Sequence, residues 1–435
     1  MNKIQTIFRH SGEAITDSTL SAISLPARAR VTFLLSTIYA LMYLDRVNLS
    51  AAANAVKTEF GLSNSQLGVA FTGFSWTYLA TVLFGGWAAR RYGPRVVLPC
   101  CAVLLGVSTI GTAFAAGAVS LFLIRMLVGA GEGPAFPAAT QAMRNWYPAE
   151  KFGYIQGITH SASRLGAAIA PPLVAWLIVA TNWRISFVIC GSAVLVWGAF
   201  WWFQFRDDPR EHASVERAAL AGVEPVAPTA KTPVPLWALT TRMLPVTLVM
   251  FAYGWAYWIF VSWLPLYFIN HHHVELKASA FLTSVPLVAG MFGNTAGGML
   301  SDWLLRRTGN HRIARCSVVA GSLAGCALAL IPVALTPNLA VALPCLALAM
   351  FFLELTIAPM YAIPMDMSRE FAGMGSAFII MGVALAGITS PWVFGWLIDL
   401  TGNWNVPFAT AIGVLLLGAG GVLLIRPDRP FLPPA

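Results

Sequence analysis

The chain has 435 residues, of which 57% are hydrophobic and only 10% are charged. Average soluble domains carry about 25% charged residues, so the composition excludes a soluble enzyme, a secreted disulfide scaffold and a disordered protein. It predicts a polytopic membrane protein. The net charge of +9 would fit a nucleic-acid partner, but the placement of the basic residues, given below, favours a topology signal instead.

Twelve apolar stretches are long enough to cross the membrane as helices. The first six form an expected N-terminal bundle within residues 31–205, and the last six form a C-terminal bundle within residues 240–425. A linker at 206–239 joins the bundles, and tails cover 1–30 and 426–435. In chain order, we predict the spans at 31–53, 65–89, 96–115, 118–142, 153–179, 185–205, 240–269, 278–305, 313–334, 338–364, 374–399 and 406–425.

The basic residues predict the orientation. Of 27 Lys and Arg residues, 21 lie on the side of both termini, three lie on the other side and three lie inside spans. The positive-inside rule therefore places both termini in the cytoplasm, in a bacterial inner membrane, and makes a nucleic-acid partner unnecessary. The first span doubles as the targeting signal, because no cleavable signal peptide precedes it. The six cysteines lack metal-ligand spacing, so we expect packing roles and no metal.

The two halves echo each other in sequence. EGPAFP at 132–137 matches ELTIAP at 354–359, and NWRISF at 182–187 matches NWNVPF at 403–408. Duplicated six-helix units are typical of transporters, whose substrate site lies between the halves near mid-membrane.

Ionisable residues inside spans are the strongest candidates for function, because burying a charge in hydrocarbon costs at least ~2.5–3.5 kcal/mol. In span 1, Tyr43 and Arg46 share one helix face, and this arrangement suits binding of a carboxylate. An ion pair between Asp45 and Arg46 that fixes helix packing is the alternative. In span 4, Arg125 and Glu132 lie two turns apart on one face.

Asp45 and Glu132 are the candidate proton carriers, and a static network of Asp45, Arg125 and Glu132 is the alternative. Glu354, the repeat-mate of Glu132, is a further candidate for protonation. Other polar residues in spans 5, 7, 8 and 11 are candidates for lining the cavity, although packing and interhelical hydrogen bonds are the commoner roles for such residues. These candidates are His160, Ser163, Arg164, Tyr257, Asn294 and Ser390.

Several motifs resemble the major facilitator superfamily and, within it, the anion:cation symporter family of bacterial galactonate, glucarate, hexuronate and phthalate transporters. They are YLDRVNLS at 43–50, RMLVGAGEGPAFPAA at 125–139, WLPLYF at 263–268 and APMYAIPMDM at 358–367. The resemblance implies proton-coupled uptake of an organic anion. It implies that Asp45 and Glu132 carry protons, that Arg125 tunes the span 4 acid, and that Arg46 holds the carboxylate with Tyr43 and Tyr78.

The loop between spans 2 and 3 is similar to the superfamily's cytoplasmic motif G-x-x-x-D-R/K-x-G-x-R/K. Arg90 replaces the usual Asp, and Arg91 and Arg95 follow it. The copy in the second half keeps its acid as Asp302, before Arg306. Because the family uses this acid to lock the cytoplasmic side closed, we predict gating roles for these residues, with a changed lock in the first half.

The sequence thus predicts an all-α membrane transporter that imports a sugar acid or another carboxylate, such as an aromatic or dicarboxylic acid, by alternating access. Its expected partners are the substrate, protons as coupling ion and membrane lipid, with no cofactor and a monomeric state. A proton-antiport exporter is the main alternative. A membrane sensor would need a signalling domain, and an intramembrane enzyme would need a nucleophile or metal constellation, neither of which is evident.

Overall fold

A computed structural model describes residues 27–147, 152–211, 236–367 and 372–428. Most of the predicted tails and of the linker at 206–239 lies outside these residues. The first half consists of α1 (Ala27–Phe60), α2 (Asn64–Tyr92), α3 (Pro94–Thr112), α4 (Ala118–Glu132), α5 (Ala135–Trp146), α6 (Phe152–Ala180) and α7 (Trp183–Gln204). The second half consists of α8 (Leu236–His272), α9 (Leu276–Thr308), α10 (His311–Leu335), α11 (Leu339–Leu355), α12 (Ile357–Met367), α13 (Ala372–Thr401) and α14 (Asn405–Gly421).

Every predicted span is helical, ten of them as one helix and two as a pair of helices, and the predicted all-α fold of twelve spans is confirmed. Within the described ranges, ten spans are long and apolar enough to cross a membrane, or eleven with the bent α2. The remaining long helix is α1, which carries Asp45 and Arg46 inside it. Spans 4 and 10 are each divided into two helices, α4 with α5 and α11 with α12.

The two halves repeat one packing scheme. In the first half α1 packs on α6, α2 on α4 and α3 on α7, and in the second half α8 packs on α13, α9 on α11 and α10 on α14. Glycines permit the same close approach in both halves. A Cβ at Gly129 would overlap the carbonyl oxygen of Phe74, and a Cβ at Gly293 would overlap that of Phe351.

The halves meet where α2 packs on α13, α6 on α9 and α1 on α8. We call the end with the arginine-rich turns after α2 and α9 the basic end, and the end with the loops after α1 and α13 the opposite end. At the opposite end, Asp399 accepts hydrogen bonds from the backbone N–H groups of Asn64 (3.1 Å) and Ser65 (2.6 Å). It also accepts from Asn64 Nδ2 (2.8 Å) and Ser65 Oγ (2.6 Å). The halves are therefore joined at this end.

Candidate functional site

The breaks in spans 4 and 10 place two buried acids at equivalent positions. α4 ends at Glu132, just before Gly133 and Pro134, and proline lacks the N–H that would continue the helical bonding. In the second half, Glu354 is the penultimate residue of α11. Both carboxylates are fully buried. The matching motifs in the sequence therefore correspond to matching structural positions.

Arg46 of α1 pairs with Glu132 of α4. Its Nε donates to Glu132 Oε1 at 2.6 Å, and its Nη2 contacts the same oxygen. Aromatic rings surround the guanidinium carbon, which lies 4.7–5.7 Å from the ring centres of Tyr43, Phe74, Tyr78 and Phe136. Only 8% of the Arg46 side chain is exposed. Cation–π attraction and one ionic partner hold this cation between helices of the first half.

Asp45, the neighbour of Arg46 in sequence, contacts the same helix α4, at Arg125, and also contacts α3 at Thr109. It lies 3.6 Å from Arg125 Nη1 and accepts a hydrogen bond from Thr109 Oγ1 at 2.7 Å. The two arginines and two acids are thus paired crosswise, Arg46 with Glu132 and Arg125 with Asp45. Neither the Asp45–Arg46 ion pair considered from sequence nor a direct Arg125–Glu132 ion pair is among the contacts of the described residues.

A third pair joins the two halves. Arg164 of α6 contacts Glu354 of α11, with 2.9 Å between Nη2 and Oε2. Glu354 accepts two further hydrogen bonds, from Tyr253 of α8 at 2.9 Å and from Asn294 of α9 at 3.1 Å. The guanidinium carbon of Arg164 lies 5.6 Å from the ring centre of Tyr43. Arg164 and Arg46 therefore both face one tyrosine ring.

The remaining candidates differ in how their polar atoms are used. His160 is exposed and contacts the ring of Tyr39 edge-on, with 5.5 Å between the ring centres. The hydroxyl of Ser163 donates to the His160 carbonyl at 2.7 Å, and that of Ser390 donates to the Trp255 carbonyl at 2.8 Å. Both hydroxyl protons are thus used within or between helices. Tyr257, stacked on Tyr253, is buried near Glu354.

At the basic end, the residues predicted to act in gating have other contacts than the motif suggests, and their gating role stays a prediction. Asp302 contacts Arg315 at 2.8 Å rather than Arg306. Arg315 also donates to Ser301 Oγ (2.8 Å) and to Asp366 (2.9 Å). Arg306 is exposed. Arg315 of α10 therefore holds the acid of the motif and links it to Asp366 of α12.

The first half, whose motif carries arginine at the acid position, uses an acid from the segment after α7. Asp207 accepts a hydrogen bond from the backbone N–H of Arg95 at 3.0 Å, in the first turn of α3. Burial raises the pKa of Asp207. Arg90 and Arg91 are exposed. No sequence motif indicated Asp207, because it lies more than a hundred residues beyond the turn it contacts.

Sequence reasoning also missed Phe74, Phe136, Thr109 and Asp399. Phe136 lies inside the EGPAFP motif, so its presence in that motif was an available signal. At the opposite end, Ser63 and Gln66 form a capping box that marks the start of α2, but this pattern does not indicate Asp399. Within the described residues, no cluster of three or more His, Cys, Asp or Glu side chains could hold a metal ion.

Comparison with known proteins identifies relatives along the whole membrane part. The family model described as Major Facilitator Superfamily matches residues 35–381. A probable sulfoacetate transporter of Cupriavidus necator is 39% identical over 407 residues, covering 93% of this chain and 95% of that protein. A hexuronate transporter of Bacillus subtilis is 30% identical over 393 residues, covering 90% and 92%.

Among solved structures, the chain is similar to a bacterial homologue of the human lysosomal transporter Spinster in an inward-facing, unoccupied conformation. The TM-score is 0.77 at 18% identity, covering 92% of this chain and 97% of that one. At this level of identity the likeness concerns the fold alone.

Proposed function

The chain belongs to the major facilitator superfamily and, within it, to the anion:cation symporters, and we propose that it is a proton-coupled importer of organic acids that works by alternating access. Its relatives are transporters and not enzymes, and their named cargoes are organic acids. The observation that carries the proposal is the Arg46–Glu132 pair, a buried cation in an aromatic cage whose only ionic partner among the described residues is a carboxylate.

This pair links proton and substrate binding. A substrate carboxylate needs the guanidinium of Arg46, and Glu132 already occupies it. A proton on Glu132 neutralises this competitor and makes the guanidinium available for a bidentate bond. Proton and substrate then favour the same state of the protein, which is the thermodynamic requirement for symport.

Asp45 is the proposed second proton carrier. Its pairing with Arg125 and Thr109 crosses from α1 to α4 and α3. A proton on Asp45 would weaken the link to Arg125 and loosen these helices relative to each other. We propose that this step accompanies the change of access, while Tyr43 and Tyr78 orient the substrate beside Arg46.

We propose an inner-membrane location with both termini in the cytoplasm, on the strength of the arginine-rich basic end. In this orientation the basic end faces the cytoplasm, and the joined opposite end faces outward. The contacts of Asp399 then close the outer side, and the basic end is the side of release.

The test is uptake into proteoliposomes under an inward-acid proton gradient, with sulfoacetate, hexuronates, galactonate and glucarate as probes. We expect gradient-driven accumulation of an acid by the natural protein and gradient-independent exchange by Glu132→Gln. Arg184→Gln is the control, because Arg184 pairs with Glu59 at the exposed opposite end. Loss of preloaded acid against the gradient would favour export and refute the proposal, as would accumulation by Glu132→Gln equal to that of the natural protein.

A further inference from the structure

Resting on this proposed function, we propose that Arg164 is a second anion-binding residue of the substrate site and that the cargo is a short organic dianion. One anionic group binds Arg46. The other displaces Glu354 from Arg164. Two arginines that contact the same tyrosine ring would thus select a substrate with two negative charges over one with a single charge.

The first support is the position of the two cations. The guanidinium carbons of Arg46 and Arg164 lie 4.7 Å and 5.6 Å from the centre of the Tyr43 ring. They cannot be further apart than the sum of these two distances. A bidentate bond places a carboxylate carbon about 4 Å from the guanidinium carbon. A molecule lying between the arginines therefore has room for two anionic groups joined by only a short chain.

The second support is that Arg164 is more exposed than Arg46 and has a hydrogen-bond donor without a partner among the described residues. Its side chain is 13% exposed, more than the 8% of Arg46, while its partner Glu354 is fully buried. Arg164 Nε has no hydrogen-bond partner among the described residues. A buried donor left in this state costs about 1–3 kcal/mol. An anionic group beside Tyr43 would satisfy it.

The third support is the way Glu354 is held. Tyr253 and Asn294 donate to its two different oxygens, so the carboxyl group stays bonded when Arg164 turns to a substrate. Both donors belong to the second half, whereas Arg164 belongs to the first. Exchange of Glu354 for a substrate anion therefore removes an ion pair between the halves. Binding of the substrate would therefore also break one ion pair between the two halves.

Charge balance limits the cargo as well. The interior holds three arginines and three acids in described pairs: Arg46 with Glu132, Arg125 with Asp45, and Arg164 with Glu354. Of these three arginines, Arg125 lies over the ring of Phe74, whereas Arg46 and Arg164 lie over that of Tyr43. A monoanion occupies one of these cations and leaves the other with its internal partner, so it gains nothing from Arg164.

The experiment measures binding of matched probes to the purified full chain and their uptake into proteoliposomes. The probes are oxalate, malonate, succinate and glutarate, each compared with its monoamide, which keeps the shape and removes one charge. We expect the best dianion to bind at least about tenfold more tightly than its monoamide, since a charge-assisted bond contributes this much. Arg164→Gln should abolish this ratio by weakening the dianion about tenfold or more and the monoamide by less than about threefold.

The variant Glu354→Gln distinguishes a role of Arg164 in substrate binding from a role of the Arg164–Glu354 pair in helix packing. It removes the internal competitor, so dianion affinity should stay the same or increase. If the Arg164–Glu354 pair only braced the helices, both variants would weaken dianion and monoamide by similar factors, and this result would overturn the inference. Arg184→Gln is again the matched control.

The two proposals fail differently. If a monoanionic sugar acid is transported and no dianion is preferred over its monoamide, the dianion inference is wrong and the proposed function stands. If no organic acid of either kind is bound or transported, the proposed function itself is wrong.

Discussion

Replacing Asp399 with alanine should open the opposite end of the molecule. Asp399 is exposed, so each of its hydrogen bonds is screened by solvent, but it caps the start of α2 with both carboxylate oxygens. Ser63 remains the N-cap of α2, but Asp399 accepts from two further N–H groups of the first turn. Loss of capping bonds of this kind costs about 1–2 kcal/mol, and here the acceptor belongs to the other half. We therefore expect the ratio of separated to joined halves at this end to increase by about fivefold to thirtyfold.

The assay is a distance distribution between spin labels at Thr58 and Leu400, which are exposed on α1 and α13 near the contact. Asp399→Ala should gain a population at longer distance, and Asp399→Asn, which keeps one acceptor oxygen, should give an intermediate change. Glu275→Ala is the control, because Glu275 occupies the position before α9 and makes no side-chain capping bond. An unchanged distribution in Asp399→Ala, or an equal change in the control, would refute the role of this cap.

Three further predictions concern packing, the basic end and the substrate cation. Gly129→Ala should lower the free energy of unfolding by about 2 kcal/mol, because the new Cβ overlaps the backbone of Phe74. The control is Gly321→Ala, whose new Cβ has no atom within 4 Å, and thermal unfolding should show no loss of stability for it. Arg315→Ala should cost about 2 kcal/mol by removing the charge-assisted bond to the largely buried Asp366, and equal melting of the exposed-site variant Arg306→Ala would contradict this. Arg46→Lys should weaken substrate binding about tenfold, and unchanged affinity would exclude a bidentate anchor.

Much of the fold could be predicted because a bilayer accepts few structures. Backbone groups in hydrocarbon must be bonded internally, so long apolar stretches become helices, and their limits agree with the predicted spans. The repeated EGPAFP and ELTIAP motifs, which indicate a duplicated unit, lie where the structure breaks spans 4 and 10, a break that the sequence analysis did not predict. Proline explains the break after Glu132, since it cannot continue the backbone ladder.

The candidate site was predicted as a set of residues but not as a set of pairs. Helical periodicity places Tyr43 and Arg46 on one face of α1, and the structure agrees, with 4.7 Å between guanidinium and ring centre. Periodicity also separates Asp45 from Arg46. It cannot say that Asp45 meets Arg125, because that depends on the rotation and depth of α4 against α1.

The sequence by itself determined a twelve-span membrane protein, the charged residues inside its spans and the family to which it belongs. Only the tertiary structure decided that Arg46 binds Glu132, that Arg164 reaches across to Glu354, and that Asp399 caps α2. The physical reason is that local periodicity and burial cost act along one helix, while an ion pair forms wherever packing brings two helices within about 4 Å. Each of these partners lies many residues away in sequence, so no local pattern records the contact.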